Sequence, residues 1–297
     1  MTGVSTPIFD SRHELKDMAF QSADESTHMK YDPIKKVLGN VVRENVLLRK
    51  LFFKLLGLMF LREWHVKREL RAILGKQKGP VRIYDAGCGF GQYSYYCATR
   101  FPSSTIYAVD IKEEQINDCT RFFRRAGLTN TSFAVEDLTD IQHDNRFDLA
   151  ISVDVMEHIP DDVGVFRNLY RSLRSGGTLL VNTPSDLGGS DAHGPEDESF
   201  IEEHARNGYG VDEIKTKLAS VGFRVDSVKF AYGPWGSIAW RLGIKIPMLM
   251  VNLSKVLFIV LPFYYLITLP FTLLLMYLDY AGANKTGTGL IVVATKL

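Results

Sequence analysis

Val81-Arg82-Ile83-Tyr84-Asp85-Ala86-Gly87-Cys88-Gly89-Phe90-Gly91 reads as a buried strand that ends in an acid and runs into a turn with glycine at every second position. Gly87, Gly89 and Gly91 remove the Cβ atoms that would hold a ligand off the backbone, and they permit φ angles that other residues avoid. A helical stretch, Gln92 to Arg100, follows at once, so exposed backbone N–H groups would face a ligand at a helix N-terminus. Glycine spacing alone is equally compatible with an ordinary tight turn. The sequel favours a cofactor loop: Ile106-Tyr107-Ala108-Val109-Asp110 is a second short apolar run ending in Asp, about 20 residues on, the spacing at which an acid binds ribose hydroxyls.

The dinucleotide fingerprint G-x-G-x-x-G places its third glycine one position later, for helix packing beneath a pyrophosphate. Here Asp85 precedes the loop, and a carboxylate there suits a ligand with a cationic amine and no phosphate. These residues resemble the class I S-adenosylmethionine-dependent methyltransferases, whose first motif is commonly D-x-G-C-G-x-G. Phe133-Ala134-Val135-Glu136-Asp137-Leu138 resembles the third strand of that family. Phe147-Asp148-Leu149-Ala150-Ile151-Ser152-Val153 resembles the fourth. Leu173-Arg174-Ser175-Gly176-Gly177-Thr178-Leu179-Leu180-Val181 resembles the L-x-P-G-G helix end and fifth strand, with Ser175 where the family usually has Pro. The match runs from about Val81 to Pro184 and resumes weakly near Gly210.

The resemblance implies an α/β fold with a seven-stranded Rossmann-like sheet and S-adenosylmethionine as cofactor. Asp85 and the loop residues Gly87, Cys88, Gly89 and Gly91 would take its methionine end. Asp110 would accept from both ribose hydroxyls, with Ile111 beside it. Asp137 would accept from the adenine amino group, with Leu138 supplying a backbone contact and Val153 closing the set. For Asp110 and Asp137 the competing reading is a strand-end turn or a helix cap.

Asp154-Val155-Met156-Glu157-His158 lies just past the fourth strand, at the carboxyl edge where open α/β sheets bind ligands. It resembles M-L-E-H-V of the ubiquinone-biosynthesis O-methyltransferases and related lipid-modifying enzymes. His158 is a candidate general base, or a histidine bonded structurally beside the cofactor. His204, Arg206 and Tyr209 match an H-x-R-x-G-Y stretch of the superfamily, and would face the acceptor or brace a lid; His204 and Tyr209 join His158 as catalytic candidates. Asp191, His193, Glu196, Asp197, Glu198, Glu202 and Glu203 crowd the same loop. Mg²⁺ ligation is weighed against a solvated lid; the lid is preferred, and no metal is expected.

The 297 residues carry a formal net charge of +1, which makes no electrostatic case for a nucleic-acid partner. Cys88, Cys97 and Cys119 show no disulfide or metal spacing and fit a reducing compartment. Met1 to Tyr31 is polar without an apolar core, so no secretory signal is expected. Val41 to Leu74 is helical in pattern, with Arg43, Lys50 and Lys54 on one face and Leu48, Phe52, Leu55, Leu56 and Met59 opposite. It reads as a covering helix or as an interfacial amphipathic one. Further helices are expected over Lys112–Ala126, Asp161–Arg174, with Gly176-Gly177 as its stop, and Val211–Val221.

Val256 to Leu278 contains no charged residue and is long enough to cross a bilayer. The last strand is expected at Gly289–Thr295, so this run lies in an insertion. Three parts follow: an N-terminal arm and amphipathic helix (1–75), a cofactor-binding domain (76–232 and 289–297), and a hydrophobic membrane-associating insertion (233–288). Because the last strand must rejoin the sheet, the run cannot cross once. It is expected to enter one leaflet as a shallow hairpin bent at Pro262 and Pro270, with basic flanks toward the cytoplasm. The expected activity is methyl transfer to a lipophilic acceptor, a quinone precursor or lipid, at the cytoplasmic face of a membrane. Alternatives are a small-molecule methyltransferase with a soluble hydrophobic cap, a cofactor used without methyl donation, and a non-catalytic scaffold.

Overall fold

A computed structural model describes residues 45–188 and 205–297. Two helices, α1 (Val46–Met59) and α2 (Leu61–Leu74), precede a sheet built from β1 (Arg82–Ala86), β2 (Thr105–Asp110), β3 (Thr131–Val135), β4 (Phe147–Val153), β5 (Leu173–Pro184), β6 (Phe223–Ala231) and β7 (Gly289–Lys296). The crossovers are α3 (Gln92–Arg100), α4 (Glu113–Arg125), α5 (Asp162–Ser172) and α6 (Val211–Ser220). The strand order is β3-β2-β1-β4-β5-β7-β6. The first five strands are parallel, and β7 is antiparallel to both β5 and β6. The expected seven-stranded α/β sheet is present, with its last strand at the C-terminus. Reversal of strand order between β1 and β4 opens the crevice at their carboxyl ends.

Both faces are covered, which is why the central strands are apolar without interruption. Ile83, Ile106, Leu149 and Ile151 pack under α1 to α4 with Phe53, Val66, Leu70 and Phe122. Tyr84, Ala150, Leu179 and Val292 pack under α5 and α6 with Phe166, Leu169 and Leu218. Helices α1 and α2 therefore belong to the same compact unit, Val46–Leu297, as the sheet.

Four local expectations are corrected. The helical stretch breaks at Phe60, whose backbone is extended (φ −106°, ψ 114°). Within α1 the inward face is Arg49 and Phe53, while Leu47, Leu51, Leu55 and Leu58 face outward; Arg43 lies outside the described residues. Strand β3 spans Thr131–Val135, because Asp137 caps a short turn over Leu138–Asp140 through the Thr139 N–H. Gly176-Gly177 does not stop α5, which ends at Ser172. The β4–β5 register passes from Phe147↔Leu173 to Leu149↔Thr178, so the extra residues bulge out, and Gly176 takes φ +76° within that bulge.

A fifth correction concerns the insertion. Pro262 and Pro270 do not break the apolar run into two legs: α9 (Leu261–Ala281) is one continuous helix with Pro270 inside it. Pro262 sits in its first turn, where a missing N–H costs nothing. The returning leg comes earlier, as α7 (Pro234–Trp240), a π-turn (Arg241–Lys245) and α8 (Ile246–Leu253), with the reversal at Ser254–Val260. Pro247 has no N–H to return to the π-turn. The hydroxyls of Tyr264 and Tyr265 donate instead to the carbonyls of Leu242 (2.7 Å) and Gly243 (2.8 Å).

Candidate active site

The loop after β1 has the left-handed backbone that its glycines foretold, with φ of +81°, +51° and +76° at Gly87, Gly89 and Gly91. The three serve different ends. A Cβ on Gly87 would lie 2.4 Å from Val155 Cγ2, and one on Gly91 would lie 3.1 Å from Cys119 Sγ, so both are closed by packing. Gly89 meets nothing nearer than Gln115 Oε1 at 3.9 Å, so the loop's open room lies there. Gly87 and Cys88 donate to Val109 O (2.9 and 2.8 Å), and Arg49 holds Phe90 O from behind at 2.8 Å. The cradle is pre-shaped.

Asp85 is buried, and Ser94 Oγ donates to it at 2.5 Å. Burial pushes its carboxyl up to about 6; the Ser94 hydrogen bond opposes that rise and the Asp110 charge adds to it. Asp110 accepts from Gly89 N (2.9 Å) and Lys112 N (3.0 Å). Ile111 beside it is 65% exposed. Asp137 takes both the N–H and the hydroxyl of Thr139 on Oδ1, and Leu138 is buried. Val153 ends β4, half-buried beside the loop. The ten residues expected to hold the cofactor thus lie at or just beyond the carboxyl ends of four adjacent strands, with an open glycine, an acid on each of three strands and an exposed apolar side chain between. A nucleoside carrying an amino-acid tail fits that donor and acceptor set.

Residues 77–220 match the family model described as a methyltransferase domain. The chain carries a class I S-adenosylmethionine-dependent methyltransferase domain. Malonyl-acyl-carrier-protein O-methyltransferase 1 of Ilyobacter polytropus is 28% identical over 119 residues, 40% of this chain and 44% of that protein. Sterol 24-C-methyltransferase of Aspergillus fumigatus is 29% identical over 110 residues, 36% of this chain and 29% of that protein. The chain spans less than half the length of these curated relatives. Among solved structures, phosphoethanolamine N-methyltransferase 2 of Haemonchus contortus, in complex with S-adenosyl-L-methionine, superposes with a TM-score of 0.56 at 19% identity. That likeness, over 78% of this chain and 52% of the other, is one of fold.

Beyond the carboxyl end of β4 in the methyltransferase domain, His158 closes a short turn, Met156–His158, and is half-buried. Glu157 beneath it is buried and accepts from Thr183 Oγ1 at 3.1 Å. Burial drives its carboxyl upward, against its hydrogen bonds and the His158 charge. Tyr209 does not face an acceptor. It is fully buried, its oxygen 2.7 Å from Asp162 Oδ2 and 3.1 Å from Met156 O, and it accepts from Arg206 Nη1 at 2.7 Å. With Arg206 and Lys217 converging on the same Asp162, Tyr209 braces the segment that rejoins the sheet. This corrects its expected catalytic role, because a phenol with no free access cannot touch substrate. His204 and the acid-rich stretch from Asp191 to Glu203 lie outside the described residues. Among the described residues no three His, Cys, Asp or Glu side chains are grouped to hold a metal.

Sequence reasoning missed Arg62 of α2, which forms an ion pair with Asp154, the first residue after β4. It missed Ser94 as the partner of Asp85. A serine three residues after the last loop glycine was the available signal for Ser94; for Arg62 there was none.

Proposed function

We propose that the protein transfers the methyl group of S-adenosylmethionine to a lipophilic acceptor, a quinone precursor or a lipid, at the cytoplasmic face of a membrane. The observation that carries the lipophilic part is the α7–α9 hairpin. Helix α9 is the one described helix long and apolar enough to cross a bilayer, and only 11% of its apolar window is buried. Arg241 and Lys245 sit partway along the first leg and Lys255 in the reversal, and around them Leu249, Leu253, Val256, Phe258, Ile259, Phe263, Leu266 and Ile267 are all exposed. The eight residues of α8 rise about 12 Å, close to the roughly 15 Å of one leaflet's hydrocarbon. Tyrosine hydroxyls satisfy backbone carbonyls within the hairpin, as lipid demands of any inserted chain. The insertion, residues 233–288, then acts as a monotopic anchor. Relatives whose names specify sterol, phosphoethanolamine and malonyl-acyl-carrier-protein substrates agree with a lipid-related acceptor.

The cofactor supplies an activated methyl carbon. The chain's part is alignment and exclusion of water. Gly89 gives close approach for the methionine end, and Asp85 supplies a negative charge for its amine, directly or through the loop. Asp110 would exchange its backbone partners for ribose hydroxyls, Ile111 would lie against adenine, and Asp137 would meet the adenine amine. His158 would take a proton from a phenolic acceptor.

Full-length protein incubated with methyl-labelled S-adenosylmethionine and vesicles of total membrane lipid should put label into the organic extract. Turnover confined to water-soluble acceptors, with no dependence on vesicles, would sink the lipophilic reading. In sealed vesicles, protease sites placed before Pro234 and after Ala283 should be cut from one side, since Ala231 pairs with Gly289 in one sheet.

A further inference from the structure

We propose that Arg62 anchors the methyl acceptor and does so by holding an anionic oxygen group on it, a carboxylate or a phosphate. The inference rests on the methyltransferase reading and adds the charge of the substrate to it. Three observations meet where the start of α2, the first turn of α3 and the loop after β4 come together.

The first is the ion pair itself. Arg62 and Asp154 lie at the crevice, their side chains 28% and 32% exposed. The second is unmet hydrogen bonding. Arg62 Nε, Ser152 Oγ and Asn182 Oδ1 are buried and find no partner among the described residues, and the buried Tyr93 hydroxyl and Glu63 Oε1, which face each other, form no well-aligned bond. Seven side-chain atoms are so placed in the described residues. These five belong to the carboxyl edge of the sheet and the elements over it, while Arg82 and Thr131 begin their strands at the opposite edge. Native proteins leave few such atoms; of the five, Arg62 Nε, Tyr93 Oη and Ser152 Oγ can donate to an anion, while Glu63 Oε1 and Asn182 Oδ1 only accept and would face an N–H or O–H of the ligand. The third is backbone strain. Of three non-glycine residues with positive φ among the described residues, two are Asp154 (+52°) and Tyr232 (+54°), and the Tyr232 hydroxyl accepts from Arg62 N at 3.2 Å. Such conformations are costly and gather at functional sites.

The guanidinium fork matches a carboxylate or phosphate through parallel N–H donors. Arg62 Nη1 pairs with Asp154 Oδ2, and a substrate anion would take the place of that carboxylate. Arg62 Nε and Tyr93 Oη are the further donors an incoming anion would meet. The position also suits a membrane substrate. Leu61, the neighbour of Arg62, packs with Ala239 of α7 and Met276 of α9 at the hairpin's base, so an apolar tail lying along the hairpin would bring its headgroup to Arg62.

Two variants with opposite expected signs test this. Arg62→Gln removes the fork. Asp154→Asn removes the competing anion while keeping a residue that tolerates positive φ. Full-length protein saturated with S-adenosylhomocysteine is titrated calorimetrically with phenyl phosphate, benzoate and the uncharged benzyl alcohol; the first two distinguish a phosphate from a carboxylate. At least one anion should bind ten-fold or more tightly than the alcohol. Arg62→Gln should erase that preference, Asp154→Asn should tighten anion binding several-fold, and Arg62→Lys should fall between the unaltered protein and Gln. S-adenosylhomocysteine affinity should stay the same throughout. Equal binding of anions and alcohol, weakening by Asp154→Asn, or a ten-fold loss of S-adenosylhomocysteine affinity in both Arg62 variants would overturn the proposal, the last by giving the guanidinium to the cofactor. No S-adenosylhomocysteine binding by the unaltered protein would break the methyltransferase reading as well, whereas intact binding without anion preference breaks this proposal alone.

Discussion

The sheet and the insertion solve the same problem in opposite senses. In the sheet, apolar side chains point inward and polar groups cluster at one edge, where a ligand can use them. In the hairpin, Leu253, Phe263 and Leu266 point outward at 83%, 67% and 76% exposure, and the hydroxyls of Tyr264, Tyr265 and Thr268 turn inward to carbonyls. One region buries its apolar side chains and the other exposes them, which is what the proposed membrane anchor requires. They are nonetheless rigidly joined. Asp279, fully buried at the end of α9, accepts from Gly236 N (3.0 Å) and Asn284 Nδ2 (3.0 Å) and lies 3.3 Å from His65 Nε2 of α2. A buried acid held from three elements fixes the hairpin relative to the helix that carries Arg62.

The widest separation between the regions should come from placing one charge in each. Ile151→Asp, in the middle of β4 with no exposed surface, buries an unpaired carboxylate at a cost of several kcal/mol and should leave no cooperative melt. Leu266→Asp should leave the melting temperature and cofactor binding unchanged. It should cut vesicle partitioning about a hundred-fold, since an acid in hydrocarbon costs about 2.5–3.5 kcal/mol. A large drop in melting temperature for Leu266→Asp would mean that the hairpin tip packs against protein, and the contrast would fail.

Within the sheet's edge, the next effect is on rate. His158→Ala should slow transfer to a phenolic acceptor by about 10²–10⁴ with cofactor affinity retained, the usual worth of a positioned base. Near-normal turnover would place the acceptor among amines or already ionised groups, for which alignment suffices. Asp110→Ala should be smaller and should appear in binding alone. It removes charge-assisted hydrogen bonds worth about 1.5–3 kcal/mol each, partly replaced by water, so a ten- to hundred-fold loss of S-adenosylmethionine affinity is expected by calorimetry. Unchanged affinity would remove Asp110 from the cofactor site.

The same contrast explains what could be read in the chain. Strands β1, β2 and β4 were legible because a short apolar run closed by an acid or a glycine turn is a local signal, and the loop glycines have a local steric cause. Gly176-Gly177 and Pro262 misled because a glycine pair serves a bulge as well as a cap, and a proline in a first turn looks like a breaker. Only pairing partners separate these cases. The reversal at Ser254–Val260 was hidden by the run's uniform apolarity. Tyr209 and Arg62 were illegible in role for a different reason: their partners, Asp162 and Asp154, come from distant elements, and nothing periodic marks such a meeting.

The smallest expected effect is in pH, and its sign separates a site built to bind from a core built to be stable. Asp85 is raised to about 6 by burial. A carboxyl whose folded value exceeds its unfolded value, about 3.9, stabilises the protein fully below the lower value and loses that contribution as pH rises through about 6. Without cofactor, Asp85 would therefore be a destabilising carboxylate at neutral pH, and Asp85→Asn should raise the melting temperature at pH 7 but not at pH 3.5. Binding runs the other way. The cofactor's ammonium favours the ionised form, so affinity should be flat above about pH 6 and fall up to ten-fold per unit below it, down to the value of the bound state. In Asp85→Asn that slope should vanish along with most of the affinity. A variant that is more stable yet binds normally, or an unaltered protein whose affinity is level from pH 7 to pH 5, would show that Asp85 is a buried core acid braced by Ser94 and would take the amine's partner out of this loop.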